Sequence, residues 1–133
     1  MRAGLVALLV SRPSIRAFVD SRVFVTKAPQ GATLPYIVIT QMGSDEYGTF
    51  DGTSELRSLD FDIDCKSKLS TQSDAIAKVV RNFLKDYTGA AGSESIAASH
   101  FRDELTNYEP PTDGSDVGIH VTLLDFRIQY HPS

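Results

Sequence analysis

Leu59-Asp60-Phe61-Asp62-Ile63-Asp64-Cys65-Lys66 is the stretch whose reading decides the fold. Leu59, Phe61, Ile63 and Cys65 point one way, and Asp60, Asp62, Asp64 and Lys66 the other. A period of two with this polarity is a strand with one buried and one wet face. Just downstream the period changes: Ile76, Val79, Val80, Phe83, Leu84 and Tyr87 fall on one stripe at helical spacing. Ser70 or Thr71 is placed to cap this helix, Asp74 lies near its positive end, and Gly89 is placed to close it. A half-wet strand next to a one-faced helix predicts a sheet covered by helices on one side only.

Upstream, Val6 to Val19 has helical character interrupted at Pro13, whose ring removes an amide that a helix interior needs. Leu5, Leu8 and Leu9 share one face before the break, and Ile15, Phe18 and Val19 continue it. Arg22–Val25 is a short strand candidate, and residues 27–35 form a connector with two prolines and a glycine. A second strand, Tyr36-Ile37-Val38-Ile39-Thr40, starts directly after Pro35. Residues 43–54 have the composition of a turn-rich loop.

Downstream, residues 90–95 make a small-residue loop, and 96–108 a weaker strand with Ala97, Phe101 and Leu105 inward. Residues 109–116 are a loop by composition. The last strand runs from Val117 to Tyr130. Its apolar set Val117, Ile119, Val121, Leu123 slips by one to Leu124, Phe126, Ile128, Tyr130, which predicts a β-bulge near Leu123-Leu124. The predicted order is α-β-β-α-β-β. This is an α+β fold: an antiparallel or mixed sheet of about four strands with helices on one face, in one domain spanning 1–133.

Composition narrows the function. The 133 residues are 41% hydrophobic and 23% charged, which suits a folded chain and excludes wholesale disorder. The net charge of -4 argues against a dedicated nucleic-acid grip. That charge is polarised. Residues 1–42 carry five bases against Asp20 alone, whereas residues 43–64 carry seven acids against Arg57 alone. Polarity of this kind suits head-to-tail contact between copies. The apolar start Ala3–Val10 runs into Ser11-Arg12-Pro13 where a secretory signal would carry a small-residue cleavage site, so a short core helix is expected there. No stretch approaches the about 18 apolar residues of a membrane span. The lone Cys65 has no internal disulfide partner, which suits a reducing compartment.

No catalytic constellation stands out. Asp60, Asp62 and Asp64 share a strand face, but alternate positions lie about 7 Å apart, too far for three carboxylates to hold one ion unaided. His100, His120 and His131 have no metal-ligand spacing, and Cys65 falls on the apolar side of its strand. Nucleophile-elbow, P-loop and dinucleotide-binding motifs are absent from the sequence. No enzyme, cofactor or metal is therefore expected. Tyr47 and Phe50 differ from their surroundings, because they stand in a loop of Gly, Asp, Ser and Thr. Either they anchor a partner surface or they fold back onto the sheet.

Arg22-Val23-Phe24, Ala28-Pro29-Gln30-Gly31-Ala32, Leu34-Pro35-Tyr36-Ile37-Val38-Ile39 and Asp125-Phe126-Arg127-Ile128 form a familiar set. With both helices in the same order, the chain resembles the tail-completion, or tail-terminator, proteins of long-tailed bacteriophages and related gene-transfer particles. The resemblance implies a structural virion protein, assembled in the bacterial host cytoplasm and placed at the head-proximal end of the tail. There a ring, usually of six copies, would end tube polymerisation and join tail to head. Its implied partners are its own copies, the tail-tube protein and a head–tail connector or stopper protein. DNA would pass through the channel without specific binding, and no membrane is involved. The candidate interface residues are Asp45, Glu46, Tyr47, Phe50 and Asp51. Another connector or minor tail component, or a small-ligand α+β domain with an enclosed pocket beneath helix 71–87, are the alternatives.

Overall fold

The computed structural model describes residues 1–45, 56–111 and 117–131. Its elements run α1 (Arg2–Val10), α2 (Pro13–Val19), β1 (Val23–Val25), β2 (Tyr36–Asp45), β3 (Arg57–Ser67), α3 (Ser70–Leu84), β4 (Gly89–Ala91), β5 (Glu94–Glu109) and β6 (Ile119–His131). Among the described residues the sheet has six strands where about four were expected, in the order β1-β2-β3-β6-β5-β4. It is mixed: β1 runs parallel to β2, and the other pairs are antiparallel. The order counted four of the five strand segments read in the sequence, and the strand that none of them covers is β4, three residues in a stretch whose small side chains carry no periodic signal.

The α+β architecture and the one-sided helical cover are as expected. Pro13 opens α2 as its first residue, a position where its missing amide is no loss. Leu5, Leu9, Ile15, Val19, Ile76, Val80 and Leu84 from the three helices close on Ile37, Ile39, Phe61, Ile63, Cys65, Leu124, Phe126 and Ile128 from the sheet. Gly4 allows the closest approach: a β-carbon there would lie 2.5 Å from the Ala91 carbonyl oxygen, so α1 rests directly on β4.

Several local expectations are corrected. β2 continues through Gly43 to Asp45, past a register shift between Gln41 and Gly43, so the start of the expected loop is strand. α3 is entered through Leu69 with no side-chain cap from Ser70 or Thr71. Ser67 takes that part, accepting from the Leu69 amide at 3.2 Å and bonding Gln72 at 2.5 Å. The helix closes at Lys85, short of Gly89, and Asp86 takes the left-handed conformation at φ 61.

The bulge expected in β6 is absent. β3 and β6 pair without interruption from Arg57↔Tyr130 to Ser67↔His120. Thr122 explains the misreading: it occupies an inward position, its hydroxyl donating to Asp74 Oδ1 at 2.7 Å and lying 3.1 Å from Ser73 Oγ. A buried threonine in the core and apolar Val121 and Leu123 on the opposite face mimic a change of phase. The register shifts fall in β5 instead, at Ile96/Ala98 and Phe101/Asp103. They turn Ile96 and Ser99 inward and leave Ala97 and Leu105 exposed, with Phe101 half-buried against Phe126 at 5.5 Å between ring centres.

Candidate assembly surface

The alternation of β3 builds the wet face. Asp60, Asp62 and Asp64 stand on the side of the sheet that no described helix covers, opposite Arg127, Asp125 and Leu123 of β6. Across the next strand pair, His100, Asp103, Leu105 and Asn107 of β5 share that face. The bulge at Phe101/Asp103 brings Arg102 onto it as well: its guanidinium reaches Asp60 Oδ1 at 3.4 Å and Asp125 Oδ1 at 3.0 Å. Arg127 adds bonds of 2.9 and 3.3 Å to the Asp60 carboxylate. The Arg127 hydrogen bond holds the Asp60 carboxyl below its ordinary range, followed by the charges of both arginines.

Asp62 and Asp64 have a different environment. Burial first, and then the nearby Asp125 carboxylate, push the Asp62 pKa up. Burial raises Asp64 further, to about 6, only partly countered by Lys66. The buried Oδ1 of Asp64 accepts no hydrogen bond from the described protein. Lys66 itself is engaged with Glu109 at 3.0 Å. The face thus sets Asp60, Asp62, Asp64, Asp103, Glu109 and Asp125 against Lys66, Arg102 and Arg127.

The helical layer has the opposite balance. Arg2, Arg12, Arg16, Lys78, Arg81 and Lys85 lie on the helices or their caps, against Asp20 and Asp74 there and Asp86 just past the cap of α3. Arg12 stacks over the Phe83 ring at 4.4 Å, and Arg81 bridges to Glu104 at 2.6 Å. The two layers therefore carry opposite net charge, a sorting in space that the polarity along the chain only partly foreshadows.

Asp45 ends β2, at the end of the sheet away from the start of α3. Glu46, Tyr47, Phe50 and Asp51 lie outside the described residues, so the structure does not bring the five candidates together. Arg102 was missed in the sequence, since an exposed arginine in a weakly patterned strand gives no sign that a bulge will aim it at two acids.

Cys65 is fully buried, and burial pushes its thiol pKa far up. His120 rests on the Tyr108 ring at 4.9 Å, and no group of three metal-ligating side chains occurs among the described residues. Beneath the start of α3 lies an open cleft of about 450 Å³ lined by Ser70, Ser73, Asp74, Tyr108, His120 and Thr122. It is not the enclosed chamber that a small-ligand domain would show. No helix among the described residues is long and apolar enough to cross a membrane.

What fold and surface define is a small two-layer unit in which side chains are sorted for contact and no reactive cluster is gathered among the described residues. The chain belongs to the tail completion protein gp17 family, whose model matches residues 3–131. It is accordingly a structural protein of a phage-type virion tail, where it assembles with other virion proteins. Among solved structures it is similar to a chain of the virion of a native gene transfer agent particle. The TM-score is 0.69 at 16% identity, over 99% of this chain and 95% of that one, a likeness of fold. No curated protein matches the chain.

Proposed function

We propose that this protein, as a single domain of 133 residues, forms a ring, of six copies in the family's usual arrangement, at the head-proximal end of the tail tube. The ring ends tube polymerisation and receives the connector of the filled head. The observation that carries this reading is the separation of charge between the layers. A ring of identical subunits has an inside and an outside, so a subunit with a net-negative sheet face and a net-positive helical face can present each to a different environment. An acidic inner wall repels the phosphate backbone of passing DNA, which keeps a charged polymer from sticking in transit. The helix-free face with Asp62, Asp64, Asp103 and Asp125 supplies such a wall. Asp45, Glu46 and Asp51 extend it to the rim, and Tyr47 and Phe50 contact the tube or the neighbouring subunit.

Electron microscopy of particles lacking this chain tests the role. Overlong tails, or tails of normal length that fail to join filled heads, are the expected result. Normal infectious particles from the knockout would overturn it. Reversing the charge of Asp45 and Glu46 together should leave the fold intact by circular dichroism and lower the yield of joined particles.

A further inference from the structure

The two outermost strands of the sheet are too short for the strands they cover. β1 pairs only with Ile37–Ile39 of the ten-residue β2, and β4 only with Glu94–Ile96 of the sixteen-residue β5. Each edge of the sheet is therefore a step: a three-residue ridge followed by a recess with no neighbouring strand among the described residues. Open edges of this kind are templates for pairing with another chain. Register locates the steps. β1 lies beside Ile37–Ile39, level with Ile63–Cys65 of β3, Thr122–Leu124 of β6 and Glu104–Thr106 of β5. β4 lies beside Ile96, level with Tyr130 and Arg57, where β2 is ending at Asp45. The ridge on one edge is thus level with the recess on the other.

Direction agrees as well. In a ring, rotation about the axis leaves every copy's strands pointing the same way along it. β1 runs parallel to β2, and β4 antiparallel to β5, so β1 and β4 run in the same direction. If the β5 edge of one copy meets the β2 edge of the next, β1 of the second copy lies antiparallel to β5 of the first. β4 of the first copy points the same way as β2 of the second but is level only with its end at Asp45, so β1 and β5 carry the joint. Their antiparallel pairing repeats the type that prevails within the chain. The last bulge of β5 lies at Phe101/Asp103, so Asp103–Glu109 runs evenly beside β6, and its Glu104 and Tyr108 amides are held only by the Asp103 and Asn107 side chains, which a docking strand displaces.

The geometry points to a heterologous joint between copies in which β1 of one subunit pairs with the free edge of β5, along Asp103–Glu109, of its neighbour. Side-chain fit supports it. Phe24 stands on the helix-free face beside Val38, and Leu105, 56% exposed, stands on that face beside Leu123. Antiparallel partners share a face, so Phe24 of one copy covers Leu105 of the next. The inference rests on the ring reading and adds to it the edges that close the ring.

Paired cysteines in assembled tails test the joint. Phe24→Cys is combined in turn with Asp103→Cys, Leu105→Cys or Asn107→Cys, which share its face, and with Glu104→Cys or Thr106→Cys, which do not. Native Cys65 is buried and out of reach. Mild oxidation should give an inter-subunit ladder with at least one of the first three variants and none with the last two. Tails that contain the chain but give no ladder, or a dimer already formed by Phe24→Cys alone and nothing larger, would overturn the joint while leaving the ring standing. Absence of the unmodified chain from tails would bring down the ring and the joint together. Hydrogen exchange on the unmodified chain gives a second readout. Amides of β1 and of residues 103–109 should gain protection on assembly, and unchanged exchange there would count against the pairing.

Discussion

The two faces of one sheet obey the same alternation and end in different states. Phe61, Ile63, Phe126 and Ile128 are fully buried under the helices, whereas Asp60, Asp62, Asp64 and Asp125 one residue away face a side with no helical cover. The covered face is complete within the chain. The uncovered face is only partly satisfied: Asp60 is held by two arginines, while Asp64 keeps a buried carboxyl oxygen without a hydrogen bond from the described protein. A strand specifies both faces equally well. Only the face that the chain closes by itself contributes fully to the stability of the isolated subunit.

The largest expected effect breaks the covered face. Phe126→Ala empties a position with no solvent exposure, between Phe61 of β3 and Phe101 of β5. Truncations of this kind cost about 3–5 kcal/mol, readable as a fall in the urea midpoint with an unchanged slope. A loss below about 1 kcal/mol would mean that the core is not closed as described. Gly4→Ala comes next. The added methyl would meet the Ala91 carbonyl, and overpacking of this kind costs about 1–3 kcal/mol. Its effect on thermal unfolding shows whether the edge strand β4 belongs to the same cooperative unit as the helices.

Asp64→Asn sharpens the contrast from the other side. Folding raises the Asp64 pKa from 3.8 to about 6, so the native state holds this proton over a range where the unfolded chain has released it. Stability from this group is therefore lost as pH climbs from about 4 to about 6, and it stays lost above that. Asparagine removes the buried charge. It should stabilise the protein by about 1 kcal/mol at neutral pH, a figure reduced for the solvent access that remains, and the gain should vanish near pH 4. Chemical denaturation at the two pH values measures the difference.

These contrasts also mark how far the sequence could be read. The alternation at 59–66 and the stripe at 76–87 were legible because each repeats one period over two or more turns or pleats. They sufficed for the α+β class and the one-sided cover. β1 was legible from Val23-Phe24-Val25 although it is only three residues long, whereas the equally short β4 has small side chains with no period, so the full strand count and the stepped edges were not legible. β6 misled because polarity and burial part company at Thr122: its hydroxyl is satisfied by Asp74, so a polar residue faces inward. The wet acids were visible one by one, yet their joining to Arg102 depends on a bulge between Phe101 and Asp103 that no residue there announces. Of the candidate interface, only Asp45 lies within the described residues, at the end of β2.

The smallest effect tests whether the acidic face is held for stability or for its charge. Arg102 touches Asp60 and Asp125 and is 38% exposed. Pairs that solvent reaches this easily contribute about 0–1 kcal/mol, because water screens them and two long side chains must be fixed. Arg102→Ala should therefore lower stability by under about 1 kcal/mol, and added salt should shrink the difference further. The same change removes one of three bases from the face and leaves its six acids in place, so the face becomes more negative. If that face is a wall past which DNA moves, Arg102→Ala particles should inject at least as readily as the parent. Arg102→Glu should behave alike, whereas Asp62→Arg, which adds a base at its centre, should slow injection. Equal injection kinetics for Asp62→Arg and the parent would separate the charge of this face from the passage of DNA, and the acids would then serve contacts between subunits.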